Sequence, residues 1–219
     1  MSIKKHFNIG EIVTFKSHPL FRNHSSIKEI GAQVPPLMLV KEVYYDNQKF
    51  IKNYSDEVEN AQISDDIKYL CVFFNANKSQ FEEKMVYNSF LKSYLDLKYF
   101  RISESKEKHE NVELIKEVKA YENVTYKFGE VVQFKTKKLE HRKSYEGNSE
   151  KIMNTSFQTP DFLLSGIKNH AQTDLFYSDG SPKRVITSQL FKVIWFNHFQ
   201  QKYSEYLLPK EFFVKNLSL

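Results

Sequence analysis

Glycine, cysteine and long apolar runs are all scarce in this 219-residue chain. The six glycines stand at 10, 31, 129, 147, 166 and 180, and no two lie closer than fourteen positions. That spacing excludes the phosphate-cradling loops G-x-G-x-x-G and G-x-x-x-x-G-K-[ST]. The single cysteine, Cys71, excludes an intramolecular disulfide framework and any cysteine-based zinc cluster. The longest apolar run, Tyr69 to Phe74, has six residues, against the ~20 a helix needs to cross a bilayer. After Lys4 and Lys5 the chain alternates in polarity and never builds the apolar stretch of a signal peptide. These absences predict a soluble protein of a reducing cytoplasm.

Catalytic constellations are equally sparse. The seven histidines, at 6, 18, 24, 109, 141, 170 and 198, form no His-x-His and no H-E-x-x-H. His170 and Asp174 are four apart, but the segment 169–180 reads as a polar loop, so the pair does not share a helix face. Asp65 and Asp66 lack the third oxygen donor of a calcium loop and read as a solvated turn. A nuclease arrangement of Pro-Asp followed by [Asp/Glu]-x-Lys begins at Pro160-Asp161. It fails because no later acidic residue has a lysine two positions on. Cys71 sits inside an apolar strand and reads as an inert buried thiol. No catalytic residue, metal or cofactor is assigned, and an enzyme would need a cleft joining residues far apart in sequence.

What the chain does have is aromatic area: 19 Phe, 13 Tyr and 1 Trp. So much rigid apolar surface at 41% hydrophobic content predicts a packed core and argues against disorder. It also has an internal repeat. Phe7 to Lys16 aligns with Tyr126 to Lys135 at an offset of 119, carrying an aromatic, then Gly-Glu, then a β-branched run. Pro36 to Val40 with Val43 aligns with Pro160 to Leu164 with Ile167 at 124. Tyr69 to Asn75 aligns with Phe191 to Asn197 at 122, and so do Phe81, Glu83, Met85 and Phe90 with Tyr203, Glu205, Leu207 and Phe212. Four blocks in one order, with loop-sized drift in offset, indicate a duplication.

Each copy reads as strands. The first block is a turn feeding a strand, and the second is a short strand introduced by proline. The third is apolar on both faces and therefore central or closed on itself, and the fourth is a last strand or a short helical turn ending near Phe90 or Phe212. Between the copies, Asn111 caps a connecting helix whose Leu114, Ile115, Val118 and Tyr121 make one apolar stripe.

The block order resembles small bacterial SH3-like barrels, which open on an aromatic-x-x-Gly-[Asp/Glu]-x-Val strand and carry a later Val-x-Trp-Phe strand. Phe7 to Lys16 and Cys71 to Asn75 carry the resemblance in the first copy, Tyr126 to Lys135 and Val193 to Asn197 in the second. It implies a mainly β fold with a helical connector: two tandem SH3-like barrels at 1–95 and 126–219, joined by a linker at 96–125. Each copy departs from the pattern by a long insertion, Pro19 to Val34 and Lys137 to Thr159.

The net charge of +5 is uneven, with +1 over residues 1–110 and +4 over 111–219. Lys135, Lys137, Lys138, Arg142 and Lys143 concentrate it at the start of the second insertion, where a basic loop is expected to contact nucleic-acid backbone, DNA or RNA. Lys183 and Arg184 follow a strong turn, Asp179-Gly180-Ser181-Pro182, and join this set. Tyr44, Tyr45, Tyr177, Phe199 and Tyr203 are the candidate exposed aromatics, suited to a protein partner or to base stacking. Phe73, Phe74, Trp195 and Phe196 are expected in the core. With Leu114, Val118 and Tyr121 of the stripe, Tyr44, Tyr45 and Tyr177 form the partner-binding set; the stripe is expected to pack against either barrel or, alternatively, to offer a homodimer seam.

Two readings follow. In the first, a non-catalytic accessory protein docks on a larger protein and touches nucleic acid through the basic loop, enhancing the partner's DNA binding. By overall likeness it resembles accessory factors of bacterial defence machines, which implies a CRISPR effector nuclease as the partner. In the second it is a purely protein-binding or homodimeric adaptor with no nucleic-acid role.

Overall fold

The computed structural model describes residues 6–18, 34–46, 66–94, 100–101, 108–109, 125–137, 142–146, 149–153 and 159–215. The first half of the chain contributes β1 (Ile12–Phe15), β2 (Met38–Tyr45), β3 (Ile67–Asn75), β4 (Gln80–Tyr87), a 3-10 turn at Asn88–Phe90 and β5 (Leu91–Ser93). Two short strands follow, β6 (Phe100–Arg101) and β7 (Lys108–His109). The second half contributes β8 (Val131–Phe134), β9 (Arg142–Glu146), β10 (Ser149–Met153), β11 (Asp161–Asn169), β12 (Arg184–Ile186), β13 (Gln189–Asn197) and β14 (Lys202–Pro209), then a 3-10 turn at Lys210–Phe212 and β15 (Phe213–Lys215). The fold is mainly β, with two principal antiparallel sheets, and no α-helix occurs among the described residues. No helix among them is long and apolar enough to cross a membrane. The stripe Leu114, Val118 and Tyr121, and the connecting helix drawn through it, lie outside the described residues.

The two sheets correspond strand for strand. The first runs β4-β3-β2-β1-β5 and the second β14-β13-β11-β8-β15. The Gly-Glu turn does the same work in both. Gly10 and Gly129 hold φ +76° and +86°, a left-handed conformation that glycine takes without steric cost. The Glu11 and Glu130 carboxylates accept the N–H of Asn8 and Lys127 at 3.1 and 2.9 Å. The Gly10 N–H donates to the Val40 carbonyl at 2.8 Å and the Gly129 N–H to that of Leu164 at 2.9 Å, which sets the register of β1 on β2 and of β8 on β11. A bulge follows at the matching place, between Val40 and Glu42 and between Leu164 and Gly166.

Topology forces each sheet to curl. β4 and β5 stand at opposite ends of the strand order, four strand spacings or about 19 Å apart if flat. The link from Tyr87 to Leu91 spans at most about 14 Å. The ends must therefore bend toward each other, and the same holds for β14 and β15.

The halves are not independent. Ile67, Tyr69 and Cys71 on one face of β3 join Val13, Met38, Val40, Val86 and Leu91 in a core made of first-half residues. The opposite face, Ile12, Leu39, Val72, Phe74 and Phe81, packs on Phe134, Phe162, Val193, Trp195 and Phe212 of the second half. Phe81 is the pivot, with its ring centroid 5.4 Å from those of Phe134, Phe162 and Trp195. The buried Ser79 carbonyl, in the β3–β4 turn, accepts the Trp195 indole N–H at 3.1 Å and the Asn197 amide at 3.0 Å. One more link is a strand: β12 pairs with β2, Val185 opposite Val43 and Arg184 opposite Tyr44, so the second half completes the first half's sheet.

Candidate binding surface

Side-chain placement of the basic set is described for four members, and each has an intramolecular partner. The Lys135 ammonium lies 3.3 Å from the Gly10 carbonyl, across the junction of the halves. Lys137 pairs with Asp161 at 2.6 Å. Burial alone would raise the Asp161 carboxyl, but hydrogen bonds from Lys137 and Gln133 outweigh it and hold the group below its ordinary range. The Pro-Asp step of the nuclease comparison is thus part of an ion pair. Lys183 reaches Asp174 at 2.6 Å, and its hydrogen bond holds that carboxyl low. Arg184 lies 3.7 Å from Glu42 and donates to the Thr173 carbonyl. Lys138 falls outside the described residues. Arg142 and Lys143 belong to β9, which forms a two-stranded hairpin with β10 and pairs Arg142 with Met153 and Lys143 with Ile152. The second insertion therefore contains a hairpin where the sequence suggests a loop.

The tyrosines Tyr44, Tyr45 and Tyr177 are half-buried where the arm 170–188 meets β2. The Tyr177 hydroxyl donates to the Tyr45 carbonyl at 2.7 Å, and the Tyr45 N–H donates to the Lys183 carbonyl at 2.9 Å. The Tyr44 hydroxyl donates to Glu42. Burial, then this carboxylate, pushes the phenol above its ordinary value. Sequence alone cannot see that Tyr44 and Arg184 share one joint, because they lie 140 positions apart.

The other two candidate aromatics, Phe199 and Tyr203, lie elsewhere, at the second sheet. Strand alternation puts Phe191, Val193 and Trp195 inward and Lys192, Ile194 and Phe196 outward. Outside, Leu163 stands between Val131 and Ile194, and Phe196 stands opposite Tyr203 with ring centroids 5.6 Å apart. Phe199, in the β13–β14 turn, is open beside them. Of the four aromatics assigned to the core, Phe74 and Trp195 are buried and Phe73 is half-buried, while Phe196 is open.

One row of aligned positions has opposite environments in the two halves. Leu39 is 0% exposed and its counterpart Leu163 44%; Phe74 is 2% and Phe196 48%; Phe81 is 7% and Tyr203 73%. Ile12 and Val72 are buried, whereas Val131 and Ile194 are half-open. In the first half this row is covered by the second half; in the second it stays partly or largely open. The row keeps its apolar character at these exposed described positions. Leu207 adds to the patch, although its counterpart Met85 is exposed as well. A Lys192–Glu205 pair at 2.5 Å crosses the same face.

Other reactive groups are enclosed. Cys71 is buried and burial pushes its thiol up to about 12, so it offers no thiolate near neutrality. His18 is buried and held down at about 4 by the same effect. His170 Nδ1 lies 3.2 Å from the Thr187 carbonyl, in the loop where Asp174 meets Lys183. Among the described residues no group of three or more His, Cys, Asp or Glu is placed to hold a metal ion.

No known family, curated protein or solved structure matches the chain.

Proposed function

We propose that this chain is a binding module, a duplicated small barrel that docks a protein partner on the outer face of its second half. The observation that carries it is the pairwise inversion of exposure between Leu39, Phe74 and Phe81 and their counterparts Leu163, Phe196 and Tyr203. Exposed contiguous apolar rows on soluble domains mark contact surfaces, and aromatic residues are enriched at interface centres. The partner is a larger protein; a CRISPR effector nuclease is the specific form that overall likeness suggests, and purified effector can be tested directly.

A variant with Leu163→Ser, Phe196→Ser and Tyr203→Ser tests the docking face. Because these side chains are open, folding stability is expected to change by under about 1 kcal/mol per site. Affinity capture from native cells, with and without nuclease, is expected to lose its protein partners with this variant. An unchanged set of captured proteins would overturn the reading. Light scattering of the wild-type chain separates a partner from a homodimer on the same face.

A nucleic-acid contact is the second reading, favoured by the placement of Arg142 and Lys143 together on the β9–β10 hairpin. With Lys135, Lys137, Lys183 and Arg184 engaged within the chain, it rests on Lys138, Arg142 and Lys143. Mobility shifts across a salt series are expected to weaken with a slope near one unit per phosphate contact, and a Lys138, Arg142 and Lys143 to Ala variant to flatten it. Binding that does not respond to salt refutes it.

A further inference from the structure

The duplication leaves a second difference between the halves, at a strand edge. In the first sheet β3 lies along one side of β2, and the other side is shared: β1 covers its start and β12 its end, Glu42 to Tyr44. In the second sheet β8 and the Gly129-Glu130 turn cover the corresponding side of β11 as far as Leu164. Beyond that point, Gly166, Ile167 and Lys168 hold the places of Glu42, Val43 and Tyr44, and no described strand pairs with their open side. Val43, under β12, is 4% exposed, whereas Ile167 is 44%.

We propose that the open edge of β11 at Gly166–Lys168 takes up an extended segment of the protein partner, carrying a β-branched residue opposite Ile167 and an acidic residue opposite Lys168. The chain itself shows what fits such an edge. β12 lies on β2 with Val185 opposite Val43 and Arg184 opposite Tyr44, and Arg184 answers the charge of Glu42. In the second half the sign is reversed: Lys168 is exposed and has no ion pair among the described residues, and Gly166 replaces Glu42. An acidic side chain in the place of Arg184 restores the match. Gly166 also removes the side chain that would flank an incoming backbone. A second copy of this chain fits poorly, since pairing two such edges brings two lysines together on one strand pair. Main-chain hydrogen bonds supply the attachment and the alternate side chains the choice of sequence.

The inference rests on the reading of the second half as a protein-docking unit, and the probe separates the two. The probe is a labelled peptide, Ser-Pro-Glu-Glu-Val-Ile-Thr-Ser, which is residues 181–188 with glutamate in place of Lys183 and Arg184; the control keeps the lysine and arginine. Anisotropy titration against the full chain, with amide shifts followed at 166–169, is expected to show binding of the acidic peptide in preference to the control. Lys168→Glu, at an exposed position, is expected to weaken the acidic peptide about tenfold and to favour the control. No binding, equal binding of both peptides, or a preference unmoved by Lys168→Glu would overturn the inference. The Leu163, Phe196 and Tyr203 to Ser variant is expected to keep the peptide while losing captured partners. Loss of peptide binding in wild type together with intact partner capture therefore refutes the edge and leaves the docking face standing.

Discussion

Alanine at Gly10 and at Gly129 is expected to have unequal effects, although the two glycines occupy the same turn. Both have positive φ, and a Cβ in that conformation costs about 1–2 kcal/mol. Around Gly129 nothing lies within 4 Å of the added carbon, so Gly129→Ala should cost that amount and no more. At Gly10 the carbon would stand 2.5 Å from Glu211 Cβ and 2.8 Å from the Glu211 carbonyl oxygen. Glu211 belongs to the 3-10 turn of the other half, and the nearer obstacles include its backbone, so relief requires shifting one half against the other. Overpacking of this kind adds about 1–3 kcal/mol, for a total of about 2–5. Urea denaturation of both variants reads the difference directly. In a chain of this size each kcal/mol lowers Tm by about 2–4 °C, so calorimetry should separate them as well. Equal losses, or a larger loss at Gly129, would refute the close seating of the first turn on the second half.

Three further outcomes are expected. Burial holds the His18 imidazole at about 4 while the unfolded chain titrates near its ordinary 6.5. The neutral fold's advantage is therefore complete above about pH 6.5 and is lost as pH falls through 4, about 3 kcal/mol in all. Urea midpoints at pH 7, 5.5 and 4 should fall more steeply for the wild type than for His18→Gln, and parallel slopes would exclude this histidine as the cause. Trp195→Phe and Asn197→Ala each remove one donor to the Ser79 carbonyl at about 1–2 kcal/mol, and the double variant, which leaves that carbonyl without either donor, should lose more than their sum. A simply additive cycle would mean the two bonds do not share a buried acceptor. Cys71 should resist a thiol reagent at pH 8 until the protein unfolds, and modification at the rate of a free thiol would contradict its burial.

Much of the strand framework was legible because short-range chemistry dictates it. Gly-Glu before a β-branched run marks the turn into β1 and β8, and the runs apolar on both faces become β3 and β13, each flanked by strands on both sides. β5 and β15 escaped because three residues carry no periodicity. β12 escaped for the same reason and because its partner lies 140 residues earlier. The exposed row was hidden by the very likeness that revealed the repeat. Phe74 and Phe196 are the same residue in the same block, and their environments are decided by which half covers the other. Charge counting found Lys137, Lys183 and Arg184 but not Asp161, Asp174 and Glu42, which face them only after folding.

The pairing of β12 with β2 and the packing of Phe74 and Phe81 on Trp195 also set the order in which the chain can mature. About 120 residues separate Phe74 from Trp195, and at ~5–20 residues per second a ribosome needs roughly 6–24 s to supply the covering half. During that interval Leu39, Val72, Phe74 and Phe81 are in water, and the end of β2 has an open edge, the conditions under which nascent chains aggregate or recruit chaperones. Contacts of such sequence separation also slow refolding of the finished chain.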